Sequence, residues 1–362
     1  MNAANDLAVY SDTNVTQMEQ VAPNSDVEVI VQWKQSTKVS SFSTFNGTRR
    51  YRLVPNGTGG MKRQLIQDMG LTVDMGIPQT LNSFIAWGKS HYPADHTAVV
   101  LWDHGNGWLP KFGVNLKKSR PSFSRDESTH HQIEVWQLNT AFQGQHVDIT
   151  AFDCSLMQMA EVAYQFMGLS DYVAGDEESP PGAGYPYQRL LAKFTANPDQ
   201  TPRQMSKAFV DCMLEEPTYA SEKIEQSVID TSQLSSVGTA TATLAEALIA
   251  NKVALAPMIP GLRNTVQTYS KSTNRYFYDS IDLCTQLSAG TGISAVQTAC
   301  AGYITAANSA IIWEGHNSHS ANSHGLSIDF SPSSFFSSVD TDYKLLAWNT
   351  VTGWDQWLSI AP

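Results

Sequence analysis

Cysteine is scarce in this 362-residue chain. Cys154, Cys212, Cys284 and Cys300 are too few for a disulfide scaffold, and no two stand at the short spacing of a metal site. The cysteines are read as buried packing residues, or with Cys284 and Cys300 forming one bridge if the protein is exported. Charge is also thin, at 16% of residues, and the basic residues are the rarer kind: 23 Lys and Arg against 34 Asp and Glu, a formal net charge of −11. Such a surface repels phosphate backbones and suits cationic partners, which excludes nucleic acid as the expected ligand. No run of 18 apolar residues exists, so no membrane span is expected. The opening Met1-Asn2-Ala3-Ala4-Asn5-Asp6 lacks the basic region and apolar core of a signal peptide. That leaves a cytoplasmic protein, or an exported one whose leader is absent from this chain. Few Lys and Arg among many Ser, Thr, Asn and Gln point to the second: a secreted, periplasmic or cell-surface protein.

What is abundant is core material. Hydrophobic residues reach 42%, with 9 Trp, 13 Tyr and 14 Phe, enough for a sizeable buried core. The length allows two domains, or one large α/β domain with additions. Strands are expected at residues 27–33, 49–54, 97–102, 147–152 and 172–174, and again near 325–330. Residues 97–102 and 147–152 are almost continuously apolar, as in parallel strands buried on both faces. Helices are expected at 78–90, where Pro78 suits a first turn, and at 134–142 and 156–166. Strand and helix alternate in the first half, which argues for a mostly parallel sheet flanked by helices. The second half reads as more helical, at 202–215, 232–250 and 258–271. Residues 110–131 hold Pro110, Gly113, the basic residues Lys117, Lys118, Arg120 and Arg125, and His130-His131. They read as an exposed, mobile loop.

Active sites of open α/β sheets lie beyond the carboxyl ends of strands. Two buried strands here end in reactive residues. One runs into Asp103-His104-Gly105-Asn106-Gly107-Trp108, the other into Asp153-Cys154-Ser155. Ser155 follows His104 by 51 positions, a histidine-to-nucleophile separation like that of caspases. An imidazole at one strand end can protonate a leaving amine and assist a nucleophile at the next. Gly105 lets main chain approach a substrate, so its N–H can join that of residue 155 in an oxyanion hole. A helix starting just after the nucleophile would favour negative charge on it. His130-His131 and the group His316, His319 and His324 match no familiar metal spacing, so no metal site is expected.

The blocks in this order resemble the clostripain family of clan-CD cysteine peptidases. Val99 to Trp108 resembles that family's His-Gly block. Phe152-Asp153-Cys154-Ser155-Leu156-Met157, with Glu161-Val162-Ala163-Tyr164, resembles its nucleophile block. Glu177-Glu178 and Pro181 to Tyr187 resemble the pocket loop that follows, and Asp74-Met75-Gly76 and Gly325-Leu326-Ser327-Ile328 also fit. The resemblance implies a caspase-like α/β fold: a catalytic core over residues 1–200, including the loop at 110–131, completed by a helical part over 201–362. One departure stands out. The family pattern Phe-Asp-any-Cys-Leu-Met, with Glu six residues after the Cys, puts Ser155 where the nucleophilic cysteine belongs and Cys154 at the neutral position. A serine hydroxyl is far less acidic than a thiol, so the chain as written is expected to be inactive. Three readings follow: an introduced Cys-to-Ser exchange, a natural pseudopeptidase or binding module that keeps the pocket, and a register in which Cys154 is the nucleophile. A serine esterase using Ser155 would need a Gly-x-Ser-x-Gly elbow, which is absent.

The resemblance further implies protein or peptide substrates cleaved after Arg or Lys. Asp153 and Asp176 are the expected readers of that cation, since a buried carboxylate pairs well with guanidinium. It implies a zymogen activated by self-cleavage in the loop, with Lys117, Lys118, Arg120 and Arg125 as candidate sites. It also raises calcium dependence, although no EF-hand spacing is present.

Overall fold

A computed structural model describes residues 1–110, 123–269 and 276–362. The chain starts with β1 (Asn2–Ala3) and helix α1 (Ala8–Glu19). Strands β2 (Ile30–Gln35), β3 (Gly47–Pro55) and β4 (Met61–Asp68) follow and join β1 in one sheet of order β1-β2-β3-β4. Helix α2 (Pro78–His91) opens on its proline, where the missing N–H costs nothing. It leads into β5 (Ala98–Trp102). A short hairpin, β6 (Phe123–Asp126) with β7 (His131–Ile133), and the single-turn α3 (Leu138–Ala141) precede β8 (Val147–Asp153). Then come α4 (Ala160–Ala163), β9 (Ser170–Gly175), α5 (Tyr187–Ala196), α6 (Pro202–Leu214), β10 (Glu225–Asp230) and α7 (Leu234–Ala250). The last strands are β11 (Phe277–Asp279), β12 (Ile311–His316) and β13 (Ser327–Asp329).

The central sheet has the order β12-β10-β9-β8-β5. β5, β8 and β9 run parallel, whereas β10 is antiparallel to both of its neighbours. The fold is α/β with helices on both faces. The sheet is parallel where the reactive residues lie and mixed where β10 and β12, from beyond residue 200, complete it. The neighbouring residues Ala151 and Phe152 of β8 go to opposite cores. Phe152 packs with the cluster holding Ile85, Leu101, Leu244 and Leu248; Ile149 and Ala151 pack with Ala8, Val15, Leu190 and Phe209 from α1, α5 and α6. Burial on both faces is why apolar residues outnumber polar ones along the strand and appear on both of its sides.

Three expectations are corrected. The described part of the loop at 110–131 is not a mobile loop: residues 123–133 form the β6–β7 hairpin, with Phe123, Ser124 and Asp126 buried. Asp126 accepts a 2.6 Å ion pair from the buried Lys34 on β2, which locks the hairpin to the first sheet. The helix expected over 156–166 shrinks to α4 and one 3-10 turn at Tyr164–Phe166. Leu156, Met157, Met159, Ala160, Val162, Ala163 and Phe166 are all buried, so the apolar spacing reflects burial on every side rather than one helical face. The four cysteines are free thiols, Cys284 and Cys300 included.

Candidate active site

The parallel register of β5 and β8 builds the site. Trp102 pairs with Asp153, and the same offset of 51 residues carries His104 onto Ser155. The main chains then touch. A β-carbon on Gly105 would clash with the Ser155 carbonyl oxygen and lie 3.0 Å from the Ser155 nitrogen. Glycine is required there because the approach leaves no room for a side chain. Gly105 also bridges to Phe123 at the start of β6. The structure therefore brings His104, Gly105 and Ser155 to one edge of the sheet.

After Asp153 the chain does not enter a helix. It turns at Ser155, passes through Leu156 with φ of 67°, and runs extended beside residues 176–178. The Leu156 N–H donates to the Glu178 carbonyl at 2.9 Å, and the Gln158 N–H to the Asp176 carbonyl at 3.0 Å. A positive φ on a bulky residue costs of order 1–3 kcal/mol and persists only where its surroundings over-determine it. The strain turns Ser155 outward. Ser155 is partly exposed, whereas Cys154 is 1% exposed and its thiol donates to the Leu101 carbonyl at 3.0 Å. Burial pushes the Cys154 thiol well up from its usual pKa. α4 starts only at Ala160 and is a single turn, so the helix expected to begin just after residue 155, and its dipole assistance, are absent.

His104 lies two residues past the end of β5, with a side chain 28% exposed. Its N–H donates to the buried Asp103 carboxylate at 2.6 Å, and its Nε2 is 2.6 Å from Oδ1 of Asp6. Burial depresses the imidazole, but the Asp6 hydrogen bond and the charges of Asp103 and Asp6 outweigh it, so its pKa is raised overall against the opposition of Arg125. Asp6 was invisible to the sequence reading. It lies 98 positions upstream and carries no local motif.

Asp153 ends β8 and Asp176 follows the last residue of the adjacent β9, and both carboxyls are buried. Asp153 accepts from the Tyr185 N–H at 3.1 Å and the Tyr187 hydroxyl at 2.8 Å. Gly184 presses on it so closely that a β-carbon there would sit 2.7 Å from Oδ2. Asp176 receives the Gln226 amide, whose carbonyl in turn accepts from the Tyr185 hydroxyl. Burial pushes Asp153 up to about 7. It also pushes Asp176 well up, reinforced by the Glu225, Asp153 and Glu178 carboxylates. Among the described residues no Lys or Arg contributes to either shift; the Met1 ammonium opposes the rise at Asp153. Lys117, Lys118 and Arg120 lie outside the described residues. Arg125 does not sit in a free loop: it is in β6 and pairs with Glu127 at 2.9 Å. His131, His316 and His324 pair with Asp74, Glu314 and Asp279. Among the described residues no three His, Cys, Asp or Glu side chains converge as metal ligands. Among them, too, no helix is long and apolar enough to cross a membrane.

Comparison with known proteins gives a consistent result. The model of the clostripain family matches residues 1–359. Clostripain from Hathewaya histolytica is 27% identical over 168 residues, 42% of this chain and 32% of that protein, so the match spans about a third of the relative's length. A secreted C11 cysteine protease from Bacteroides thetaiotaomicron, solved with an irreversible peptide inhibitor, superposes with a TM-score of 0.74 at 19% identity, covering 98% of each chain. An inactive zymogen C11 protease from Parabacteroides distasonis superposes with a TM-score of 0.71 at 19% identity, covering 97% of this chain and 95% of that one.

Proposed function

This chain belongs to the clostripain family of cysteine peptidases, and from that membership we propose an endopeptidase scaffold that cleaves after Arg or Lys, with residue 155 as the nucleophile position. The observation that carries the specificity is the pair Asp153 and Asp176: two buried carboxyls around Tyr185, with no described Lys or Arg contributing to either shift, at the ends of the neighbouring strands β8 and β9. A guanidinium or ammonium entering that pocket would ionise the acids and pair with them.

With a cysteine at 155, the thiol passes its proton to His104 and its sulfur attacks the carbonyl of the basic residue. The N–H groups of residue 155 and Gly105 receive the oxyanion, His104 gives the proton to the departing amine, and water then hydrolyses the thioester. Serine at 155 interrupts the first step, because the hydroxyl is weakly acidic and the chain after it does not enter a helix that could assist it. The chain as written is accordingly an inactive form, by an introduced or natural exchange. Cys154 is the weaker candidate, since its thiol is buried and hydrogen-bonded inward. A binding module that retains the pocket is the second reading, favoured by the serine at the nucleophile position beside the buried Asp153 and Asp176 carboxyls. Activation by cleavage after Lys117, Lys118 or Arg120 and an exported location belong to the same proposal. The second is supported by the secreted relative.

The test is a Ser155→Cys form assayed beside the original on short fluorogenic peptides ending in Arg, Lys or Ala. Activity on Arg or Lys peptides confined to the Cys form is expected. Two silent proteins would favour the binding module, and activity in the original alone would restore Cys154.

A further inference from the structure

Asp6 reaches His104 from a part of the chain that no motif connects to it. The segment that carries it is anchored. Asn5 is fully buried, and its side-chain amide donates to the Asn2 carbonyl at 3.3 Å, the Asp103 carboxylate at 2.6 Å and the Arg125 carbonyl at 3.0 Å. The Asn2 amide donates to the Ser124 hydroxyl at 3.3 Å, and the Glu127 N–H to the Ala4 carbonyl at 3.0 Å. β1 pairs parallel to β2, so residues 2–5 are wedged between the first sheet and β6. The Asp6 side chain itself is 77% exposed and makes one side-chain hydrogen bond, to His104 Nε2. His104 Nδ1 makes no hydrogen bond to a described residue, which leaves it for the reacting centre.

We propose that Asp6 is a positioning residue for His104: it fixes the ring through Nε2, keeps that nitrogen protonated and directs Nδ1 to the substrate, while Asn5 sets its place. The proposal rests on the assignment of His104 as the acid that protonates the leaving amine. A carboxylate on the far nitrogen of a catalytic imidazole holds its tautomer and steadies the imidazolium form. The other groups facing His104 are Asp103 from its own strand end and Arg125 from β6, with opposite effects.

Because Asp6 is largely exposed, its replacement should leave the fold intact. The experiment is an NMR titration of the histidine rings in the full chain with Ser155 unchanged, comparing parent, Asp6→Asn and Asp6→Glu. His104 is assigned by its loss in His104→Gln. The expected result is a His104 midpoint moved to lower pH in Asp6→Asn, largely recovered in Asp6→Glu, with the other histidines and the melting temperature unmoved. An unmoved His104 midpoint overturns the proposal. In the Ser155→Cys form, Asp6→Asn should lower kcat/KM on Arg peptides by roughly tenfold or more, with a loss at alkaline pH beginning earlier. A rise in activity would mark the contact as an inhibitory latch and overturn the positioning role. A Ser155→Cys parent silent on every peptide would instead sink the peptidase reading, and the titration would still decide whether Asp6 governs the ring.

Discussion

Gly105 and Ser155 touch through their main chains, with room for nothing larger than a hydrogen between them. The contact spaces His104 from the nucleophile position. Gly105→Ala must push the loop after β5 away from the turn after β8, or strain both. Overpacking of this kind costs about 1–3 kcal/mol. A displacement near 1 Å costs about a hundredfold in rate. In a Ser155→Cys background, Gly105→Ala is expected to lose at least that factor in kcat/KM while lowering the melting temperature only modestly. Unchanged activity would show that the contact does not set the geometry.

Cys154 and a cysteine at 155 should differ sharply in reactivity. Cys154 is 1% exposed, its thiol is hydrogen-bonded to Leu101, and its ionisation is suppressed by burial and by Asp103 and Asp153. Alkylation rates follow thiolate content and access. The native chain should therefore resist iodoacetamide, and Ser155→Cys should take up one equivalent quickly, at residue 155 by peptide mapping. Rapid labelling of Cys154 in the native fold would contradict the register.

Stability should fall as pH rises from about 5 to 8. Burial pushes Asp103 and Asp153 up to about 7, Asp329 to about 6, and Glu161 and Glu225 to about 8. The folded protein keeps protons on these groups that the unfolded chain sheds near pH 4. Stability present below the unfolded values is then lost as pH passes the folded ones. His104 and His324, both raised, act in the same direction. The melting temperature is expected to be lower at pH 8 than at pH 5.5, and a rise across that interval would contradict the buried-acid account.

The reactive edge was legible because its signals are local. β5 and β8 are apolar runs that end in polar residues, and their offset of 51 is built into the chain. Tertiary pairing was not legible. Nothing in residues 225–230 or 311–316 marks them as antiparallel partners that finish the sheet, and Asp6 meets His104 only because β1 is held beside β2. The helix expected at 156–166 failed because Met157, Val162 and Phe166 are buried between elements of distant sequence. Wholly buried chain loses the two-faced pattern from which a helix is read. The strain at Leu156 carries no sequence signal, since leucine is a poor choice for positive φ.

Cleavage in the segment carrying Lys117, Lys118 and Arg120 should leave two pieces that stay together. The downstream piece begins near β6, which is held by the buried Lys34–Asp126 pair, by Asn5 on the Arg125 carbonyl and by Asn2 on Ser124. β8 also remains between β5 and β9 in the central sheet. Brief trypsin treatment of the native chain is expected to give two bands on a denaturing gel and one peak on gel filtration. Removing one partner of a buried ion pair costs about 3–5 kcal/mol. Lys34→Ala should therefore loosen the nicked form far more than a surface exchange would, and separation of the wild-type pieces would refute the lock.

Asp153→Asn separates pocket charge from pocket shape. The amide keeps the volume beneath Gly184 and can still meet Tyr185 and Tyr187. In the Ser155→Cys form, the parent's kcat/KM on Arg peptides should rise with pH through about 7 as Asp153 ionises. The substitution should abolish that limb. It should also lower the plateau by about 30-fold to several thousandfold, as for loss of one partner of a buried charge pair at about 2–5 kcal/mol. The same change removes a carboxyl whose ionisation burial opposes, so the melting temperature at pH 8 should increase. Lower activity with higher stability would mark Asp153 as a group kept for binding at the expense of the fold. A parallel loss of both would mean that its two hydrogen bonds, and not its charge, are what the pocket needs.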